Sequence, residues 1–150
     1  MRDVIVANVN LIVGILIIVV SAAFVGNLTW AALWIPCLMV FQVLFTLGIV
    51  WILSVVVLFV RDLTQMMPMI IIVLMLVSPI AYTEKMIPEN LTIIITINPL
   101  AWFILAYRDL ILLGEASALD LAYIAFISLA SFIAGLKFAK RMKFAVFDNV

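Results

Sequence analysis

Histidine is absent from this 150-residue chain, cysteine occurs once, and charged residues are scarce. The missing imidazole excludes histidine-based catalytic triads and most transition-metal sites. Cys37, beside Pro36, cannot close an intrachain disulfide, and a four-ligand zinc site cannot be built from one thiol without histidine. The five glycines (Gly14, Gly26, Gly48, Gly114, Gly135) are scattered, so no glycine-rich loop can cradle a nucleotide's phosphates. Lys, Arg, Asp and Glu make up 11% of the residues, against about 25% in a soluble domain. They sum to a formal net charge of +0, which offers a nucleic-acid backbone no electrostatic footing.

What the chain has instead is apolar surface. Hydrophobic residues make up 69% and the mean hydropathy is +1.44. A soluble fold of this size needs a polar shell, and these residues cannot supply one. The composition therefore implies an integral membrane protein, and the helical spans counted next make the expected fold class all-α. The N-terminus does not read as a cleavable signal: its first apolar run is about 22 residues, too long for a typical signal core, and Arg2 and Asp3 cancel.

A membrane helix needs roughly 20 apolar residues. Four stretches qualify as expected crossings: Val4 to Val25, Leu33 to Val60, Met66 to about Thr83, and Leu119 to Phe138. The second would be about 42 Å long as a helix, so it begins in the interface, where Trp30 and Trp34 suit an aromatic belt. Pro36 falls in its first turn, where a missing N–H costs little. The last crossing is followed by the basic tail Lys137, Lys140, Arg141 and Lys143.

Between the third and last crossings lies ENLTIIITINPLAWFILAYRDLILLGE, apolar enough to suggest a fifth. Charge opposes that. With both termini cytoplasmic, four crossings place Arg2, Arg61, Lys137, Lys140, Arg141 and Lys143 inside and only Lys85 and Arg108 outside. A fifth would export the tail cations and bury Arg108 and Asp109, each at about 2.5–3.5 kcal/mol near a helix centre. Pro99 also disfavours helix at Asn98. It divides the segment into Leu91 to Ile97, about 10 Å of helix, and Leu100 to Leu113, about 21 Å. Neither half spans a core of about 30 Å. The expected form is two short re-entrant helices on the outer face. Broken backbone at that depth needs protein or water beside it.

Several residues read two ways. Arg61-Asp62 is either an interfacial stop or a contact with a cytoplasmic partner. Ser78-Pro79 with Tyr82 is either a capped helix end with an interfacial ring or part of an outer gate. Asn98-Pro99 is a turn in which Asn98 caps the next helix. Trp102, Phe103 and Tyr107 form either an interface belt or an aromatic lining on which sugars stack, with Arg108 and Asp109 on its polar side. The basic tail is an orientation signal first, and a contact for an ATPase or anionic membrane lipid second. Two sequons, at Asn27 and Asn90, read as chance matches.

The ordered set of an Arg-Asp after a long span, Ser-Pro-Ile with a Tyr just beyond, an outer Pro (Pro88), and Asn-Pro followed by Tyr-Arg resembles the permease subunit of type-two ABC exporters that move polysaccharides: O-antigen, capsule and teichoic acid. The resemblance covers the whole chain, most strongly Val60 to Glu115. Such a permease has six spans, and residues 1–150 resemble its third span onward, so the resemblance implies a partial transmembrane domain, whether as a fragment, a truncated reading frame or one part of a split permease. The resemblance implies a bacterial inner-membrane protein that pairs with a second permease copy. It also implies a separate cytoplasmic ATPase carrying ATP and Mg, with no cofactor and no enzymatic activity in this chain, and a lipid-linked glycan as cargo. By the same resemblance, the two short helices are the outer gate, with Ser78, Pro79, Tyr82, Asn98, Pro99, Trp102, Phe103, Tyr107 and Arg108 as gate or conduit residues, and Arg61 and Asp62 face the ATPase. Alternatives are a non-transporting remnant or scaffold, or a type-two exporter of drugs or other small molecules. A four-helix antiporter of drug cations fits poorly, because no Asp or Glu lies between Val4 and Val60.

Overall fold

The computed structural model describes residues 9, 13, 14, 16, 17, 20, 30–79, 92–114 and 117–147. Among these, all regular structure is helical. Most of the first expected crossing, Val4 to Val25, lies outside the described residues, as do the sequon asparagines Asn27 and Asn90, Pro88 and Tyr82.

A 3-10 turn, Trp30–Trp34, leads into helix α1, Ile35–Phe59, which has Pro36 in its first turn. The apolar run continues the helix until Val60, whose backbone leaves helical geometry at φ −123° and ψ 86° while its N–H still bonds the Val56 carbonyl at 2.9 Å. Arg61 and Asp62 form the exposed turn that follows. The Asp62 carbonyl accepts from Gln65 and Met66 at 3.0 and 3.1 Å, starting helix α2, Leu63–Val77. Pro68 sits inside α2 and removes one ladder bond. Helix α3, Thr92–Ile97, and helix α4, Pro99–Arg108, follow. A π-helical turn, Asp109–Leu113, ends at Gly114, whose φ of 68° is a left-handed stop that suits glycine. Helix α5, Ala118–Phe147, closes the described fold.

The long helices α1 and α5 pack along each other, and their contact explains two glycines. A Cβ on Gly48 would meet the backbone and hydroxyl of Ser131, and one on Gly135 would meet the Gly48 carbonyl. The backbones can approach this closely only because both positions lack a side chain, as at small-residue crossings of membrane helices. Ser131 Oγ also donates to the Phe45 carbonyl at 3.2 Å. Nearer the other end of α1, the core gathers Ile35, Leu38, Phe45, Phe103, Ala106, Leu110 and Ile124.

Two helical stretches, Ile35–Phe59 and Ala118–Met142, are long and apolar enough to cross a membrane. Their most apolar windows are only 17% buried, unlike the core helix of a soluble protein. The expected crossing from Met66 takes a different form: α2 starts earlier and stops at Val77. Its 15 residues give about 22 Å of helix, less than the hydrocarbon core. Ser78 and Pro79 stop it, since Ser78 turns extended at φ −86° and ψ 137°. The last helix runs past the expected Phe138 to Phe147, because the basic tail is made of good helix formers with nothing to break it. The expected helix from Leu100 to Leu113 is α-helical only to Arg108 and widens into the π turn beyond.

Candidate functional site

The two proline corners meet. Asn98 precedes Pro99 and takes the extended geometry this demands, φ −78° and ψ 110°. Its side chain then has two tasks. Oδ1 accepts from the Leu100 N–H at 3.0 Å, capping α4. Nδ2 donates to Ser78 Oγ at 2.9 Å, across 20 residues of sequence. Asn98 is 6% exposed and Ser78 2%, with Pro79 fully buried beside them. The residue that stops α2 thus holds the residue that starts α4, out of contact with solvent. No buried side-chain nitrogen or oxygen among the described residues lacks a partner.

The aromatic residues of α4 face the long helices. Trp102 Nε1 donates to the Thr96 carbonyl at 2.9 Å, which ties α4 back to the end of α3. The Trp102 ring lies against Tyr123 of α5 with centroids 4.4 Å apart. Phe103 is buried and meets Phe45 of α1 at 5.4 Å. Tyr107 donates its hydroxyl to Gln42 Oε1 of α1 at 2.8 Å. Gln42 is fixed from its own helix as well, its carbonyl accepting from Thr46 Oγ1 at 2.8 Å. Arg108 and Asp109 follow, both half-buried, where α4 passes into the π turn.

The structure therefore brings together Ser78, Pro79, Asn98 and Pro99, and it seats Trp102, Phe103 and Tyr107 on α1 and α5. Arg61 and Asp62 lie apart, exposed at the turn between α1 and α2. Tyr82 lies outside the described residues. Gln42 and Tyr123 were not singled out from sequence. Gln42 had a usable signal, because a lone amide within an apolar span asks for a partner. Tyr123 had none, being one aromatic among many at a helix start. Chemically the arrangement is a set of fixed hydrogen bonds and ring contacts. Among the described residues no group of His, Cys, Asp or Glu could hold a metal ion.

Residues 4–112 match the family described as the ABC-2 type transporter. The chain is 34% identical over 130 residues to an O-antigen export system permease protein RfbA of Klebsiella pneumoniae, covering 85% of this chain and 50% of that one. A second protein of that description and organism is 38% identical over 122 residues, covering 79% of this chain and 45% of its own length. The chain spans about half the length of these curated relatives. No solved structure matches significantly.

Proposed function

This chain belongs to the ABC-2 type transporter family, and we propose that it is a permease component of an ATP-driven exporter of lipid-linked polysaccharide across the bacterial inner membrane. The observation that carries the reading is the similarity to O-antigen export permeases over most of the chain. The apolar helices α1 and α5 agree with a membrane location. Because the chain spans half the length of those relatives, export belongs to the assembly in which it sits. That assembly contains an ABC ATPase subunit on the cytoplasmic side, carrying ATP and Mg, and a second permease copy. Arg61 and Asp62, exposed between α1 and α2, face the ATPase, and both termini are cytoplasmic. The hairpin of α3 and α4 stands at the outer face, with Trp102 and Tyr107 as its aromatic residues and Arg108 at its polar end, and Tyr82 belongs to the same outer gate.

The test is export. The chain is co-expressed with an ABC ATPase and a segment supplying the rest of a permease, in a bacterium lacking its own O-antigen exporter. Surface glycan returns if the reading is right. Should a complete related permease restore it while this assembly does not, the chain is a non-transporting scaffold. Recovery of small-molecule efflux without surface glycan would move it to the drug-exporting branch. Within a working assembly, changing Tyr82, Trp102 and Tyr107 together to Ala lowers export, and unchanged export removes the aromatic role.

A further inference from the structure

The hairpin is held by α1, by α5 and by the end of α2. Tyr107 bonds Gln42 of α1, and Phe103 packs on Phe45 of the same helix. Trp102 packs on Tyr123 of α5. Helices α1 and α5 are themselves locked where Gly48 meets Ser131 and Gly135. The hairpin, α1 and α5 thus form one packed unit. Helix α2 is different. None of its residues from Leu63 to Val77 is buried, and Met69 and Leu76 are exposed to 74% and 70%. Burial begins abruptly at Ser78 and Pro79, where α2 ends. Its other end starts at the exposed Arg61-Asp62 turn.

We propose that the Ser78–Asn98 hydrogen bond is a positioning contact through which displacement of helix α2 is delivered to the outer hairpin; this rests on the exporter reading above. Only the 15 residues of α2 separate the Arg61-Asp62 turn from Ser78, so a displacement at that turn is carried to Ser78 through the helix even with Pro68 inside it. There it meets Asn98, whose side chain caps α4 with one atom and holds Ser78 with the other. A shift of Ser78 therefore pulls on the first turn of α4. The bond lies out of contact with water, where an unmade polar pair is costly, so the two groups move together rather than part.

The experiment places a reporter, Ile93→Cys, on the exposed face of α3 in a Cys37→Ala background. The complete assembly, with ATPase and the remaining permease segment, is studied in right-side-out membrane vesicles loaded with ATP or without nucleotide. A membrane-impermeant maleimide is added outside and its labelling rate measured. With the bond intact, ATP changes the rate. Ser78→Ala loses that response. So does Asn98→Ser, which keeps a capping oxygen for Leu100 but is too short to reach Ser78. The double variant is no worse than either single one, and Ser78→Thr, which keeps the hydroxyl, retains the response. An ATP response surviving in Ser78→Ala and Asn98→Ser overturns the coupling and leaves the exporter reading standing. Loss of response in Ser78→Thr as well assigns the site to packing and also overturns it. No ATP response in the parent overturns the ATPase partnership, and the coupling with it.

Discussion

Tyr107 and Gln42 show what a single polar pair does in an apolar setting. The phenol donates to the amide oxygen at 2.8 Å, half-buried between α4 and α1. Interhelical hydrogen bonds of this kind contribute about 0.6 kcal/mol on average in membranes, and stranding a buried acceptor costs about 1–3 kcal/mol. Tyr107→Phe should therefore destabilise the protein by about 1 kcal/mol. Adding Gln42→Leu should return part of that loss, because an apolar pair of similar shape strands nothing. Thermal unfolding of the four proteins in detergent checks the cycle, and strictly additive losses would contradict it. Asn98 behaves differently because it has two partners. Asn98→Ala should cost about 1 kcal/mol for the cap alone and more with the Ser78 bond, whereas Asn98→Ser should restore only the cap. The capping task was legible in the sequence, since Asn-Pro dictates it. The partner Ser78 was not, because nothing local specifies which residue 20 positions away will approach.

At the scale of elements, the crossing of α1 and α5 depends on two glycines. Gly48→Ala places a Cβ against Ser131 backbone, and Gly135→Ala places one against the Gly48 carbonyl. Backbone cannot swing aside as a side chain can, so the helices must separate. Each substitution should cost about 1–3 kcal/mol, the range for overpacked cores. Gly14→Ala is the control, having nothing within 4 Å of its Cβ. Resistance to proteolysis in detergent should fall for the first two and hold for the third. Helix existence was readable from apolar runs and prolines, and α1 departs from expectation by only a residue or two at each end. The lengths of α2 and α5 were not, because hydropathy marks where lipid is tolerated rather than where the backbone stops being helical. Ser78 and Pro79 end α2 earlier than its apolar run does, and α5 continues through charges that helical geometry accommodates.

For the whole molecule the decisive quantity is charge asymmetry. The four crossings expected from the sequence would leave six cations on one side and two on the other, a bias of the kind that sets orientation. The expected topology puts Arg61 inside and the hairpin outside. In a Cys37→Ala background, Leu113→Cys in intact cells should react with an impermeant maleimide and Arg61→Cys should not. Replacing Lys137, Lys140, Arg141 and Lys143 with Gln should weaken that discrimination. Equal labelling at both positions in the parent would contradict the topology.

Composition by itself determined the class of solvent this protein needs. A chain with 11% charged residues cannot cover itself in water, and that follows from counting. The ordered Arg-Asp, Ser-Pro, Asn-Pro and Tyr-Arg pieces carried the resemblance to type-two ABC exporter permeases, and the family match over residues 4–112 bears it out. Only the tertiary structure decided that Ser78 and Asn98 meet, that Tyr107 finds Gln42 across 65 residues, and that Gly48 and Gly135 face each other. Those pairings depend on how helices cross. Crossing depends on the shapes of whole surfaces, which no local stretch contains.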